Sequence, residues 1–274
     1  MNRTPAVLPE HDRPVATMAG HWLLAKLGKR VLRPGGRELT ERMLDAAQIA
    51  GSDVVELAPG LGHTASAIVR RQPGSYRGVD SDPAAVAQVN RKLGLDGAVL
   101  QADAADTGLE DGSADVVFGE AMLTMQADRS KRDMMAEALR VLRPGGRYVI
   151  HELGLTPDGL PEDTKKDIQR ALAQSIKVNA RPLTNMEWRG LLEDVGFEVH
   201  EATHFAPMRL LQPSRIIADE GLGGAARFAG NVLRMPAERK RVLAMRRTFT
   251  RHRDALIAVG IVAVKPGSST HAAE

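Results

Sequence analysis

The chain contains no cysteine. That absence removes disulfides, thiolate metal sites and cysteine nucleophiles together, and it fits a reducing compartment. Aromatic residues make up only 3% of the chain, too few for a surface that stacks a run of unpaired bases. Long hydrophobic runs are also missing. The longest, Ala255 to Val264, is about half the length a bilayer-spanning helix requires. The leading stretch, Met1 to Val15, carries charges and prolines and no apolar segment of the signal-peptide kind. It reads as a disordered lead (1–15), and the protein is expected to be cytoplasmic. Neither sign of charge dominates: 37 Lys and Arg against 34 Asp and Glu give a net charge of +3, which does not by itself indicate a nucleic-acid partner.

What the chain does have is the material for a core. Of its 274 residues, 43% are hydrophobic, enough for one large α/β domain. That domain is expected over 16–266, with 267–274 as a tail. Residues 16–33 place Trp22, Leu23, Leu27 and Leu32 in helical spacing, and Pro34-Gly35-Gly36 ends the run. A second helix is predicted from about Glu38 to Ala50, making 16–50 a helical cap. A regular alternation follows. Strands are predicted at Val54–Leu57, Tyr76–Val79, Ala98–Gln101, Ala114–Phe118 and Tyr148–Glu152. Helices are predicted at Thr64–Arg71, Pro83–Leu93 and Arg132–Leu142, the last stopped by Arg143-Pro144-Gly145-Gly146. This alternation predicts a doubly wound, mostly parallel sheet, whose ligands sit at the carboxyl ends of the strands. Further on come a helix at Thr184–Val195, a strand from Gly196, a helical block from Arg209 to Asp254 and a closing strand at Ala255–Val264.

Residues 54–62, Val-Val-Glu-Leu-Ala-Pro-Gly-Leu-Gly, carry the most information. An apolar strand ends in an acid, then turns through small residues into a helix. Glycine lets a backbone pass tightly under a ligand and aim its N–H groups at it. A second apolar run ends in Val79-Asp80, which suits a carboxylate that grips ribose hydroxyls. Gly60-Leu61-Gly62-His63-Thr64-Ala65 also matches the dinucleotide fingerprint, so a nicotinamide cofactor has to be weighed. Two further acids favour a different nucleoside: Glu56 at the end of the first strand and Asp103 past the end of the third. A Tyr-x-x-x-Lys catalytic pair is also absent, since neither Tyr76 nor Tyr148 has a lysine four residues on.

The combination resembles the class I S-adenosylmethionine-dependent methyltransferases of the small-molecule type. The segments stand in that family's order: Glu56-Leu57-Ala58-Pro59-Gly60-Leu61-Gly62, Gly78-Val79-Asp80-Ser81-Asp82-Pro83, Gln101-Ala102-Asp103-Ala104, Asp115-Val116-Val117-Phe118, and Arg140-Val141-Leu142-Arg143-Pro144-Gly145-Gly146-Arg147. The resemblance is strong from Asp53 to about Leu155 and looser to Pro266. It implies a Rossmann-like, mostly parallel seven-stranded sheet with an N-terminal helical cap and a helical lid at 209–254, and it implies S-adenosylmethionine as cofactor. It also implies roles. Glu56 approaches the methionine amino group. Ala58, Gly60 and Gly62 line the methionine and ribose. Asp80, with Ser81 beside it, accepts the ribose hydroxyls. Asp103 accepts from the adenine amino group, with the Ala104 N–H facing the ring, and Glu120 lies near the methionine end. Ala58 departs from the family's usual glycine, a change expected to be tolerated if that residue keeps a negative φ.

Other motifs weigh less. His200-Glu201-Ala202-Thr203-His204 spells the zinc-peptidase motif, which works only on a helix, where positions four apart lie about 6 Å from each other. After Gly-Phe-Glu-Val it reads as strand, with the histidines roughly 13 Å apart, so no metal is expected. His151 and Glu152 end the fifth strand on opposite faces, and only one of them faces the substrate. His151 is the expected general base, by its ordinary pKa, with His21, His63 and His204 as rivals. The 209–254 block holds eleven Lys and Arg against four acids, which suits either a solvated helix surface or a cationic lid. The expected reaction is methyl transfer to a small-molecule acceptor whose nucleophilic atom (O, S, N or C) stays open. The alternatives are a nucleic-acid methyltransferase and a cofactor-binding protein without turnover. Against the first, Gly119-Glu120-Ala121-Met122 stands where an Asn/Asp-Pro-Pro-aromatic motif would be. No membrane partner is expected, and a homodimer is compatible with the sequence.

Overall fold

The computed structural model describes residues 8–267. The start of the expected disordered lead (1–7) and most of the expected tail (268–274) lie outside the described residues. Residues 8–15 form turns, and the Glu10 carboxylate accepts from the Ala19 N–H at 2.9 Å.

The chain builds one sheet. Its first five strands are β1 (Asp53–Leu57), β2 (Ser75–Asp80), β3 (Val99–Gln101), β4 (Ala114–Glu120) and β5 (Leu142–Leu155). A two-residue β6 (Leu183–Thr184) pairs with the end of β5. β7 (Glu198–Pro207) and β8 (Leu256–Val264) complete it, and the order is β3-β2-β1-β4-β5-β8-β7. β1 to β5 pair in parallel, while β8 runs antiparallel to both β5 and β7. Seven strands therefore form the main path.

Neighbouring residues on each strand point to opposite faces, and the two faces bury separate clusters. Val54, Val116, Phe118 and Val149 pack with α2 (Gly36–Ala47), α3 (His63–Arg70) and α4 (Pro83–Leu93) through Leu39, Met43, Ile68 and Val89. Val55, Val117, Ile150 and Val259 pack with α5 (Asp128–Val141) and α7 (Asn185–Val195) through Met134, Met135, Trp188 and Leu192. Local chemistry sets the helix starts. Asp82 caps α4 by accepting from the Ala84 and Ala85 N–H groups, and Thr184 and Glu187 form a reciprocal capping box at α7.

A third cluster sits over the carboxyl ends of the strands. α1 (Gly20–Lys26), α6 (Glu162–Ile176) and α9 (Pro236–Arg251) bring Leu23, Leu24, Ile168, Leu172, Met245 and Phe249 against Leu153 and Leu155 from the end of β5. α8 (Pro213–Arg234) precedes α9 and kinks at Gly221, where φ is 73° and ψ is 169°, a conformation essentially reserved for glycine.

The structure departs from the sequence reading in three places. The helix expected over 16–33 stops at Lys26, and Gly28 turns the chain with φ 95° into an irregular run to Gly35. The Arg143-Pro144-Gly145-Gly146 segment is the start of β5 rather than a loop, and Gly145 and Gly146 exchange hydrogen bonds with Lys265. α6 was not expected at all. Among the described residues, no helix is long and apolar enough to cross a membrane.

Candidate active site

A cavity of about 280 Å³ lies between the third cluster and the carboxyl ends of β1, β2, β4 and β5. Glu56, Ala58, Gly60 and Asp80 line it on the sheet side. His21, Trp22, Met208, Met245 and Phe249 line it from the cap side. Parallel strands end where the helix N-termini begin, so loop amides and strand-terminal acids meet at this edge.

The turn after β1 is the first component. Ala58 donates its N–H to the Val79 carbonyl at 2.7 Å. The chain then passes through Gly60 (φ 52°) to Gly62 (φ 66°), which opens α3. A Cβ at Gly60 would reach van der Waals contact with the Ala58 carbonyl at 3.8 Å and Trp22 at 3.9 Å, so the bare backbone leaves room for a ligand between the turn and Trp22. Gly62 does not line the cavity; a Cβ there would press on Val89 of α4 at 3.1 Å, so it serves helix packing. Ala58 itself sits at φ 54°. The negative φ expected for it is not what the fold adopts, and the left-handed region costs a non-glycine residue about 1 kcal/mol.

The acids are the second component. Asp80 is buried and accepts from the Gly60 N–H at 3.1 Å and the Asp82 N–H at 3.0 Å. Burial raises its pKa, and those two N–H groups work against the rise. A carboxylate offers about four lone-pair sites, so two remain for a ligand. Glu56 accepts from the Tyr76 hydroxyl at 2.7 Å. Burial pushes its carboxyl up to about 8, with the Tyr76 hydroxyl working against the rise. Beyond β3, the Ala102 N–H binds the Asp80 carbonyl at 3.2 Å, fixing the segment that carries Asp103 beside Asp80. Asp103 accepts from the Ala105 N–H at 2.8 Å and is exposed. Ser81 is exposed and Ala104 buried, and none of these three lines the enclosed cavity.

Comparison with known proteins agrees with this geometry. Residues 54–146, which span β1 to the start of β5, match the model of a methyltransferase domain family. A Haemophilus influenzae protein without an assigned activity is 32% identical over 221 residues, covering 78% of this chain and 86% of its own. The phthiotriol/phenolphthiotriol dimycocerosates methyltransferase of Mycobacterium tuberculosis is 32% identical over 197 residues, 70% of this chain and 64% of its own. A Haemonchus contortus phosphoethanolamine N-methyltransferase, solved with S-adenosylhomocysteine, superposes with a TM-score of 0.65 at 19% identity over 96% of this chain and 61% of its own. The chain belongs to the class I S-adenosylmethionine-dependent methyltransferases. Its cofactor is S-adenosylmethionine and its reaction is methyl transfer.

Two residues expected at the methyltransferase site have other work. Glu120 reaches the cavity wall, where three hydrogen bonds and an ion pair from the protein already meet it. Its Oε1 accepts from the Thr40 hydroxyl at 2.6 Å and His151 Nδ1 at 2.7 Å, and its Oε2 accepts from the Thr64 hydroxyl at 2.6 Å and pairs with Arg33 Nε at 3.2 Å. Burial opposes the charge, yet Arg33, His151 and Thr40 prevail and hold the carboxyl at about 2. These contacts tie the cap to the sheet through Glu120, at the wall of the cavity. His151, the expected general base, is fully buried and does not line the cavity. Its Nε2 faces the Pro34 carbonyl at 2.6 Å, an acceptor, and its Nδ1 faces the ionised Glu120. Both ring nitrogens are engaged by protein oxygens, so neither is turned toward the cavity.

The neighbouring Glu152 points inward instead. It lines the cavity and accepts from the N–H groups of Met122, Leu123 and Thr124 at 2.9, 2.7 and 3.1 Å, shaping the loop after β4. Sequence reasoning missed this function, and it missed Trp22 and Arg33 as wall residues. His21, weighed only as a rival base, lines the cavity beside Trp22, with ring centroids 4.7 Å apart. It makes no hydrogen bond among the described residues, and burial holds it down at about 4, so its ring is neutral. His63 lies against Lys92, with Nδ1 and Nζ 3.0 Å apart. The His200–His204 stretch lies on β7, with the side chain of His200 outside the described residues. Among the described residues, no group of three or more His, Cys, Asp or Glu is arranged to hold a metal.

Proposed function

We propose that this methyltransferase acts on an apolar small molecule that presents one nucleophilic atom bearing a proton, and that His21 receives that proton. The carrying observation is the lining of the cavity: Met122, Met125, Leu153, Met208, Met245 and Phe249 supply an apolar wall, and the imidazole of His21, kept neutral by burial, lines the same space from the cap. An apolar wall with few polar groups selects a ligand by shape and burial. The M. tuberculosis relative, named for methylating phthiotriol and phenolphthiotriol dimycocerosates, supports a small-molecule acceptor. The apolar lining argues against a nucleic acid, which needs a basic face.

The residues present fit the cofactor. Asp80 keeps two lone-pair sites for the ribose hydroxyls, the bare Gly60 turn leaves room beside Trp22, and Asp103 lies exposed past β3 for the adenine amino group. Glu56 meets the methionine amino group, with Ala58 and Gly60 along the chain between. Bound there, S-adenosylmethionine supplies an electrophilic methyl group on a sulfonium. The chain supplies alignment, exclusion of water and an acceptor for the departing proton. α8 and α9 act as a lid, because α9 turns Met245 and Phe249 into the cavity. The cytoplasm is the proposed location, from the absence of cysteine.

Labelled S-adenosylmethionine offered with hydrophobic alcohols, phenols and quinols, and in parallel with RNA and DNA, tests the reading. Transfer to an apolar acceptor is expected; transfer to nucleic acid alone would overturn it. Asp80→Ala is expected to weaken cofactor binding, measured by calorimetry, by on the order of 1–3 kcal/mol. His21→Ala is expected to lower kcat by roughly 100-fold or more while leaving the cofactor dissociation constant in place. An unchanged kcat would remove His21 from the chemistry.

A further inference from the structure

The outward side of α8 and α9 has a composition that lid closure does not require. After the kink at Gly221, the spacing of α8 puts Leu222, Ala226, Ala229 and Leu233 on one stripe. Phe228, on the opposite side, packs into the cap cluster and is buried. The stripe faces water: Leu222 is 76% exposed and Leu233 68%, with Ile217 at 45% before the kink. Large apolar side chains in such a row are unusual on a surface with no partner.

The charge on the same two helices is just as one-sided. Of the four acids between 209 and 254, Asp219, Glu220 and Glu238 are buried. They turn inward to Arg215, Arg30 and Lys26. The cations stay outside. Arg227 and Arg234 flank the stripe, and Arg239, Lys240, Arg246 and Arg247 stand exposed along α9. Arg239 donates to the Leu233 carbonyl at 3.5 Å, so the basic rows begin at the end of the apolar one. Nine Lys and Arg of the block are exposed against one acid, Asp254, which pairs with Arg253.

We propose that this face docks on the surface of an anionic lipid bilayer, with the Leu222–Leu233 stripe entering the headgroup boundary and the arginines meeting lipid phosphates. An exposed apolar stripe rimmed by basic residues is the arrangement of helices that lie in a membrane interface. A second copy of the chain fits poorly, because a two-fold contact would set the cationic rows against each other. Nucleic acid would meet the charge but leave the leucines without a partner. The proposal is independent of the acceptor's identity. It does make the lid the bilayer-facing wall of the cavity, since α9 carries Met245 and Phe249 inward and Arg246 and Arg247 outward.

The test is co-sedimentation of the full chain with vesicles of phosphatidylcholine alone or mixed with phosphatidylglycerol. Binding to the mixed vesicles only is expected. Arg239→Glu with Lys240→Glu is expected to weaken it roughly tenfold or more, at about fivefold per basic side chain. Leu222→Asp with Leu233→Asp is expected to weaken it comparably. These side chains are exposed, so melting temperature and S-adenosylmethionine affinity should stay at parental values; that second readout separates failure here from failure of the cofactor reading. Failure to bind mixed vesicles would overturn the proposal. So would full binding by the leucine variant, which would mean adhesion without insertion. A dimer in light scattering that the leucine variant dissociates, or RNA binding that the arginine variant alone abolishes, would assign the face to another partner.

Discussion

Ala58 occupies a left-handed backbone position where its family usually has glycine, and the methyl group is the only thing in the way. Ala58→Gly relieves that strain, partly offset by the greater freedom of glycine in the unfolded chain. The expected result is a stabilisation of roughly 0.5–1 kcal/mol, read as a higher Tm, with the turn unchanged. A destabilised variant would mean that the methyl group makes contacts worth more than the strain. At the same scale, the strand period told that only one of His151 and Glu152 faces the site, and that much was legible. The choice between them was not. Ordinary acidity favoured the histidine, whereas the fold encloses it between the Pro34 carbonyl and Glu120. Those partners lie 117 and 31 residues away in sequence, and no local pattern announces them.

Elements with strong punctuation were readable. β1 to β4, α3 and α4 follow from apolar runs bounded by Gly, Pro and Asp, and the acids at the strand ends followed from them. α6 was not, because its buried apolar residues Ile168 and Leu172 stand among charged neighbours and gain meaning only under α1 and α9. The cap side of the cavity was unreadable for the same reason: Trp22 meets the strand ends only through the packing of α1 on α6 and α9, and Arg33 only once the chain leaves α1 at Lys26. Glu120 joins the elements involved, receiving Thr40 from α2, Thr64 from α3, His151 from β5 and Arg33 from the cap. Its folded carboxyl titrates at about 2 against an ordinary 4.5. Between those values, falling pH protonates the unfolded chain first. Stability that is fully present above about pH 4.5 is therefore lost toward pH 2, by on the order of 3 kcal/mol. Denaturant titrations across that window should show a smaller slope in Glu120→Gln than in the parent, with the remainder carried by other depressed carboxylates such as Glu137, also held at about 2.

Over the whole molecule, Glu220 is one of the buried carboxylates that tie the cap to the inserted helices, beside Asp219 at Arg37 and Glu238 at Lys26. Glu220 accepts from the Arg30 and Val31 N–H groups at 2.9 and 2.8 Å and lies 3.5 Å from Lys29, both side chains fully buried. Burial opposes its charge, while Val31 and Arg30 hold its pKa below the ordinary value. Glu220→Ala leaves buried Lys29 without its nearest counter-charge, with Asp219 the one that remains, and a loss of about 3 kcal/mol is expected in chemical denaturation. Gly221→Ala, next door, should cost about 1–3 kcal/mol through backbone strain alone. Limited proteolysis should then cut first between 27 and 35 in the Glu220 variant, and a cut elsewhere would show that the cap is held by other contacts.

β7 and β8 are paired neighbours, and the excursion that carries α8 and α9 leaves one and returns to the other. Its ends are close: Pro207 stands opposite Ile257 in the register. Splicing a segment of any length between two touching residues disturbs no strand pairing, and its closure entropy grows only with the logarithm of its length. The five parallel strands that carry the nucleoside residues lie outside that splice. The part of the cavity wall that rides on this excursion, Met245 and Phe249 among it, is therefore free to be exchanged, lengthened or re-charged by insertion and deletion without disturbing the pairing of β1 to β5.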